Sequence, residues 1–175
     1  IKDVVENNIE GDVIETGVWR GGCCILMREL LNELNSDKKV YVADSFEGLP
    51  KPDEKYPHDN GDTHHEVGML SVSMEDVMEN FKTHSTLDNV VFLKGWFKDT
   101  LPMLTNKFSL IRLDGDMYSS TIDSLNNLYP LLSENGYCII DDYRAVDGCK
   151  KAVTHYRNQH AITHEIIEID GTGIY

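Results

Sequence analysis

The sequence predicts an α/β fold in which a mostly parallel sheet carries helices on both faces. Short apolar runs rich in β-forming residues alternate with segments of helical spacing, a pattern typical of strand–helix–strand units. The runs are apolar throughout instead of alternating with polar residues, as expected of parallel strands covered on both faces. The chain has 175 residues, which fits one domain, residues 1–175, with a sizeable core.

Six strands and four helices are expected in order along the chain. The strands are expected at Asp12–Thr16, Val40–Asp44, Val90–Leu93, Leu110–Leu113, Tyr137–Ile140 and Glu165–Ile169. In the helical segments, apolar residues recur every three or four positions and form one face. These helices are expected at Cys24–Leu34, Met74–Phe81, Thr121–Leu132 and Val146–Arg157.

Residues 47–73 interrupt this alternation. The segment contains three prolines, three glycines and three histidines and has no sustained hydrophobic period. Loops longer than about 15 residues within a compact domain are usually functional, and this one follows the second strand, at the sheet edge where α/β proteins bind ligands. We therefore predict that residues 47–73, called the lid from here on, cover a binding site.

The composition excludes several classes of partner. Sixteen Lys and Arg against thirty Asp and Glu give a net charge of −14, which repels phosphate backbones, so no nucleic-acid partner is expected. No apolar run approaches the roughly 18 residues of a membrane span, and neither a membrane partner nor an intact signal peptide is expected. Adjacent Cys23 and Cys24 are a poor disulfide pair, which favours a reduced, cytoplasmic location.

A glycine-containing turn, Glu15–Gly22, closes the first strand and opens a helix. Glycines at such a place let a ligand approach the backbone, but their spacing does not match the G-x-G-x-x-G dinucleotide motif. The carboxylate of Glu15 suits a cationic or hydroxyl-bearing group of a ligand. An ordinary turn with glycines for helix packing explains the pattern equally well.

Asp44, Ser45 and Phe46 close the second strand. Asp44 follows Gly22 by 22 residues, where nucleotide-binding α/β folds place a carboxylate on the ribose hydroxyls. The alternative is that Asp44 only caps a turn. Trp96, after the third strand, is suited to stacking on a purine and equally to a place in the core.

Acidic residues end the fourth and fifth strands: Asp114 follows one, and the pair Asp141 and Asp142 follows the other. If these strands are neighbours, their carboxylates meet at one edge, and they cannot all stay ionised unpaired. Either some are protonated or a hard divalent cation such as Mg²⁺, Mn²⁺ or Ca²⁺ lies among them. The alternative is separate, solvated acids. In the lid, His64 and His65 are candidate proton acceptors or substrate contacts. The alternative is that both side chains are only solvated at the surface.

Six motifs in order make the sequence resemble the macrocin and mycinamicin O-methyltransferase family, whose members methylate sugar hydroxyls of macrolide antibiotics. The resemblance covers nearly the whole chain. The motifs are Ile14–Gly22, Val42–Pro50, the lid pieces Pro52–Pro57 and Gly61–His65, Phe92–Pro102, Arg112–Thr121 and Cys138–Tyr143.

The resemblance implies a class I methyltransferase (Rossmann-like) fold, S-adenosylmethionine as methyl donor, a bound Mg²⁺ and a small natural-product acceptor. It also implies a longer protein at both ends and allows a homodimer. The implied cofactor-binding residues are Glu15, Thr16, Gly17, Val18 and Gly21 for the amino-acid end, Asp44, Ser45 and Phe46 for the ribose, and Gly95, Trp96 and Phe97 for the adenine. The implied metal ligands are Asp114, Asp141 and Asp142, with Asp114 or the lid's His64 as the catalytic base.

Two other functions remain compatible with the residues. Asp114-Gly115-Asp116 matches the D-x-D motif that holds Mn²⁺ and a sugar nucleotide in glycosyltransferases, although this leaves Glu15 and Asp44 without a role. The chain is also compatible with a binding module that keeps the fold without activity.

Overall fold

The computed structural model describes all 175 residues, and a five-stranded parallel sheet forms its centre. The strands are β1 (Asp12–Thr16), β2 (Val40–Asp44), β3 (Val90–Lys94), β4 (Phe108–Leu113) and β5 (Leu132–Ile140). Their order in the sheet is β3-β2-β1-β4-β5. The chain therefore changes direction across the sheet at β1, whose neighbours are β2 and β4, and such a switch point is where open α/β sheets bind ligands.

Six α-helices cover the sheet. They are α1 (Lys2–Glu6), α2 (Gly22–Glu33), α3 (Met74–His84), α4 (Phe97–Thr100), α5 (Tyr118–Leu128) and α6 (Asp147–Gln159). The buried apolar residues form two clusters, one with α2 and α3 and the other with α5 and α6. Successive strand residues point to opposite faces, and in β1 Val13 joins the first cluster while Ile14 joins the second. The predicted α/β class with helices on both faces is confirmed.

The sixth expected strand, Glu165–Ile169, is wrong. The segment adds no strand to the sheet; it makes one bridge, between Glu168 and Ile174, flanked by backbone hydrogen bonds of Ile167 with Tyr175 and of Ile169 with Gly173. Ile167 and Ile169 stay 44% and 49% exposed. The β-like pattern therefore lacks a neighbouring strand to pair with, and without one it does not become a strand.

The helix expected at Thr121–Leu132 has different bounds. It begins at Tyr118, ends at Leu128 and continues as a single 3₁₀ turn over Tyr129–Leu131. Pro130 lacks a backbone N–H and cannot continue an α-helix, and the following Leu132 already belongs to β5. Helices α1 and α4 were not expected, because segments of five and four residues are too short to show a helical period.

The lid is ordered and attached to the core of the fold. It contains three short 3₁₀ turns, Pro57–Asp59, His64–Glu66 and Gly68–Leu70. The buried carboxylate of Asp59 accepts hydrogen bonds from the backbone N–H groups of Tyr118 and Ser119, at 2.7 and 2.9 Å. These N–H groups belong to the first turn of α5 and have no partner within the helix. Asp59 therefore caps α5 from a distant segment of the chain.

No helix in the structure has the length and apolarity that crossing a membrane requires.

Replacing Asp59 by alanine should destabilise the fold, because the first turn of α5 then loses both of its carboxylate acceptors. We expect the free energy of unfolding in urea to fall by about 1–2 kcal/mol, the range measured for lost helix caps. Asp37→Ala is the matched control, since Asp37 is exposed and makes no side-chain hydrogen bond. Equal stability of the two variants would show that Asp59 does not hold the lid to α5.

Candidate active site

A cavity of about 500 Å³ opens at the carboxyl edge of the sheet, between the strand ends and the lid. Six residues expected to bind the cofactor line it: Gly17, Asp44, Ser45, Gly95, Trp96 and Phe97. The lid contributes Leu49, Tyr56 and Leu70 to the lining. The structure therefore places the lid beside a cavity at the end of β2, and the prediction that it covers a binding site stays a prediction.

Gly17 occupies a position that only glycine fits. Its φ is +82°, and a Cβ atom there would lie 1.7 Å from the carbonyl oxygen of Asp114. The ends of β1 and β4 can approach this closely only without a side chain. Gly21 has the same φ, and its added Cβ would meet Val77 of α3; a packing role is therefore observed for Gly21, and its predicted contact with the cofactor stays a prediction.

Asp44 combines the two roles considered for it. Its carboxylate accepts hydrogen bonds from the backbone N–H of Val18 at 2.8 Å and of Phe46 at 2.7 Å, so it fixes the turns after β1 and β2. It also lines the cavity. The turn-capping role is therefore observed, and the ribose contact stays a prediction.

The remaining residues expected around the cofactor lie behind the cavity wall. Thr16 is buried and its hydroxyl accepts from Ser124 of α5, while Val18 and Phe46 pack in the core beneath the turn. Glu15 is buried between Cys24 and Arg112. Their side chains shape the turn, and their contact with a cofactor stays a prediction.

The carboxylates of Asp114, Asp141 and Asp142 come together at the edge of the sheet, where one ligand oxygen from each lies within 4.8 Å of the others. They meet because β4 and β5 are parallel neighbours whose ends, Leu113 and Ile140, are paired. Burial, together with the charges of Asp116 and Asp114, raises the pKa of Asp142 to about 7. The three carboxylates offer only oxygen ligands, and their mutual repulsion and burial make their negative charge unfavourable without a compensating cation. Such a cluster fits a hard divalent cation.

Sequence reasoning missed Arg112. Its guanidinium contacts Glu15 at 2.5 Å, Asp114 at 2.6 Å and Asp141 at 2.6 Å. The sequence leaves protonation, a divalent cation or solvation as ways to compensate the clustered acids, and the structure adds an arginine. The available signal was the arginine itself, because a charge within an otherwise apolar, buried strand requires a partner.

Asp116 is the second residue that sequence reasoning left without a place in the methyltransferase site. It lines the cavity and has a φ of +55°, a strained conformation for a residue other than glycine. Burial and the charge of Asp114 raise the pKa of its carboxyl, and His64 opposes this rise. No hydrogen bond holds this carboxylate, in contrast to that of Asp114.

His64 lies in the lid, close enough to Asp116 to act on the pKa of its carboxyl. Its Nδ1 is 2.9 and 3.0 Å from the two carboxylate oxygens of Asp62, so the ring is oriented by an acid two residues before it. His64 itself does not line the cavity. The structure therefore places the expected histidine near the acidic end of the site but outside its wall.

Comparison with known proteins identifies the family. A profile described as Macrocin-O-methyltransferase (TylF) matches residues 1–175. The chain belongs to this family. This confirms the resemblance inferred from the six motifs and sets the glycosyltransferase alternative aside.

Curated relatives match this chain along its whole length. The demethyldecarbamoylnovobiocin O-methyltransferase of Streptomyces niveus is 48% identical over 180 residues, which cover all of this chain and 69% of that protein. A tetracenomycin 4'-O-methyltransferase of Streptomyces olivaceus, named for a dimethoxy-rhamnosyl substrate, is 47% identical with the same coverage. The mycinamicin III 3''-O-methyltransferase of Micromonospora griseorubida is 43% identical and is covered to 71%. This chain is accordingly an O-methyltransferase.

Solved structures confirm the class I methyltransferase fold. The O-methyltransferase NovP superimposes with a TM-score of 0.96 at 48% identity, covering 99% of this chain and 74% of that one. The calicheamicin methyltransferase CalS11 shares only 16% of the sequence but has the same fold, with a TM-score of 0.77. The chain thus has the fold of S-adenosylmethionine-dependent methyltransferases.

The raised pKa of Asp142 predicts how stability depends on pH. Its folded-state pKa is about 7, against about 4 for an unfolded aspartate. Between these values the folded state binds more protons, so the free energy of unfolding falls as the pH rises from about 4 to 7. Asp142→Asn removes this titration and keeps an acceptor for the Asp116 N–H.

In a chelator, we expect the melting temperature of the unaltered protein to fall more steeply between about pH 4 and 7 than that of Asp142→Asn. The difference between the two curves isolates this carboxyl from all other titrating groups. Parallel curves would contradict the burial that the structure gives Asp142.

Proposed function

We propose that this enzyme transfers the methyl group of S-adenosylmethionine to a hydroxyl of a sugar or another small natural product, with Mg²⁺ bound by Asp114, Asp141 and Asp142. The observation that carries the proposal is the meeting of these three carboxylates beside a cavity lined by Asp44 and Trp96. The names of the relatives, which refer to novobiocin, tetracenomycin and mycinamicin compounds, support an acceptor of this class.

The cavity is suited to the methyl donor. Asp44 has lone pairs beyond those used by the Val18 and Phe46 N–H groups and would accept from the ribose hydroxyls. Trp96 and Phe97 offer aromatic surface for the adenine. Acidic groups on the wall, among them Asp114, favour a cationic sulfonium over the neutral product left after transfer.

The acidic cluster is suited to the cation. Asp114, Asp141 and Asp142 supply oxygen ligands only, the donor set that Mg²⁺ prefers. When bound, Mg²⁺ would supply Lewis-acid chemistry that lowers the pKa of the acceptor hydroxyl. The net charge of −14 further favours a small-molecule acceptor over a nucleic acid.

We infer that Asp116 is the proton acceptor, ahead of Asp114 and His64. Burial raises the pKa of Asp114 as well, but its carboxylate is hydrogen-bonded to Arg112 and is assigned here to the cation, so it is less free to accept a proton. Asp116 faces the cavity with a free carboxylate and a raised pKa that burial causes, a combination typical of a general base. In the transfer, a bond from the acceptor oxygen to the methyl carbon would form as the carbon–sulfur bond breaks, so that neutral S-adenosylhomocysteine leaves and the hydroxyl proton passes to Asp116.

The lid is suited to the apolar part of the acceptor. Leu49, Tyr56 and Leu70 of the lid line the cavity. Tyr56 is held by a 2.8 Å hydrogen bond from its hydroxyl to Asp123 of α5, and the indole N–H of Trp19 donates to the Met69 carbonyl. These contacts keep an amphipathic surface over the site and help to exclude water from the transfer step.

Binding of the donor is tested by thermal shift. S-adenosylmethionine at about one hundred times its Kd should raise the stability by about 2.7 kcal/mol, whereas a uridine diphosphate sugar should leave the melting temperature unchanged. Asp44→Asn should reduce the shift produced by S-adenosylmethionine, and its own ligand-free melting temperature controls for damage to the turns. A shift with the sugar nucleotide alone would contradict the proposal.

The base is tested by methyl transfer to a panel of glycosylated natural products. Asp116→Asn should lower kcat by about 10²–10⁴-fold, the contribution typical of general acid–base catalysis, with the affinity for S-adenosylmethionine kept. His64→Ala should have a smaller effect, and excess chelator should abolish transfer. Full activity of Asp116→Asn would contradict its role as base, full activity in chelator would contradict the metal, and donor binding without transfer would favour the inactive module.

A further inference from the structure

Arg112 has no part in the reaction as described so far, yet it lies at the centre of the acidic cluster. It is the only charged residue of β4, between the buried Ile111 and Leu113. The strand register places it opposite Glu15 of β1 on one side and Ile139 of β5 on the other. Its side chain is only 16% exposed, so its charge requires partners within the protein.

The guanidinium divides its donors among three acids. Nη1 donates to Glu15 at 2.5 Å and to Asp114 Oδ2 at 2.6 Å, and Nη2 donates to Asp141 Oδ1 at 2.6 Å. Burial disfavours the charge of Arg112, but the carboxylates of Glu15 and Asp114 outweigh it and raise its pKa. The residue is therefore a permanent cation that links the turn after β1 with the ends of β4 and β5.

The arrangement leaves room for a second cation. Arg112 engages one oxygen of Asp114 and one of Asp141, so the other oxygen of each carboxylate stays free of the guanidinium. Asp142 makes no contact with Arg112 and accepts instead from the Asp116 N–H at 3.2 Å. A planar guanidinium fixes a carboxylate in orientation as well as in position, and groups that orient metal ligands in this way contribute strongly to metal affinity.

We propose that Arg112 is a positioning residue that orients the carboxylates of Asp114 and Asp141 for divalent-cation binding. This inference rests on the proposed function, because it concerns the cation assigned there to the acidic cluster. The competing interpretation is that the guanidinium occupies the place of the cation and opposes its binding. The two interpretations predict opposite effects on cation affinity. Loss of a positioning group weakens cation binding, whereas loss of a competing positive charge strengthens it.

The test compares Mn²⁺ binding, followed by the electron paramagnetic resonance signal of the free ion, in the whole chain and its variants. In Arg112→Met the Kd should rise by about 10–100-fold, the range for lost orienting groups. Arg112→Lys keeps the charge but cannot contact two acids as a rigid fork, so it should recover part of the loss.

Arg28→Met is the matched control. Arg28 is also a buried arginine, but its hydrogen bonds go to Asn32, Ser36 and Lys38, away from the cluster. Its variant should bind Mn²⁺ as the unaltered chain does, even where it lowers stability to the same extent. This separates positioning of the ligands from a general loss of folding.

The outcomes are distinct. Equal or tighter Mn²⁺ binding by Arg112→Met would overturn the positioning role while leaving the proposed cation in place. If Arg112→Met does not fold, Arg112→Lys decides, and binding equal to that of the unaltered chain would overturn the inference. A failure of the unaltered chain to bind Mn²⁺ would instead overturn the cation of the proposed function, and the inference with it.

Discussion

Compensation of negative charge is the constraint on which the site depends. Parallel strands deliver Glu15, Asp114 and Asp141 to one edge of the sheet, partly shielded from water. Buried carboxylates at such distances repel each other and lose hydration, which the raised pKa values of Asp114 and Asp142 reflect, with burial as the main cause. The guanidinium of Arg112 offsets part of this cost by contacting all three delivered acids. The remaining acid, Asp142, lies outside its reach and leaves the cluster attractive to a further cation.

The same edge joins two chemical tasks because of the strand order. β1 lies between β2 and β4, so the turn after β1 borders both the cavity proposed for the methyl donor and the acidic cluster. Gly17 brings these together by allowing the backbone of β1 to touch that of Asp114. In the proposed reaction, a sulfonium methyl and an acceptor oxygen have to meet in line, and the shared edge places their binding groups side by side.

The lid depends on the core for its order, and the core depends on the lid. Asp59 caps α5, the helix that begins directly after the acidic motif, and Trp19 donates to the carbonyl of Met69. Backbone N–H groups at a helix start require acceptors. If the lid moved away from α5, the N–H groups of its first turn would lose the Asp59 carboxylate and would need another acceptor. The lid is therefore tied to the helix that begins nearest the acidic cluster.

The sequence alone determined the elements whose signal is local. The apolar runs at Asp12–Thr16 and Val40–Asp44 coincide with β1 and β2, because a strand buried on both faces has a recognisable composition. The meeting of Asp114, Asp141 and Asp142 also followed from sequence, since the ends of parallel strands share an edge. Tertiary structure decided the rest, because the pairing of strands and of charged side chains depends on segments that are distant in sequence. Glu165–Ile169 has a strand-like pattern but no partner strand, and Arg112 acquired its role only from the register that places it opposite Glu15.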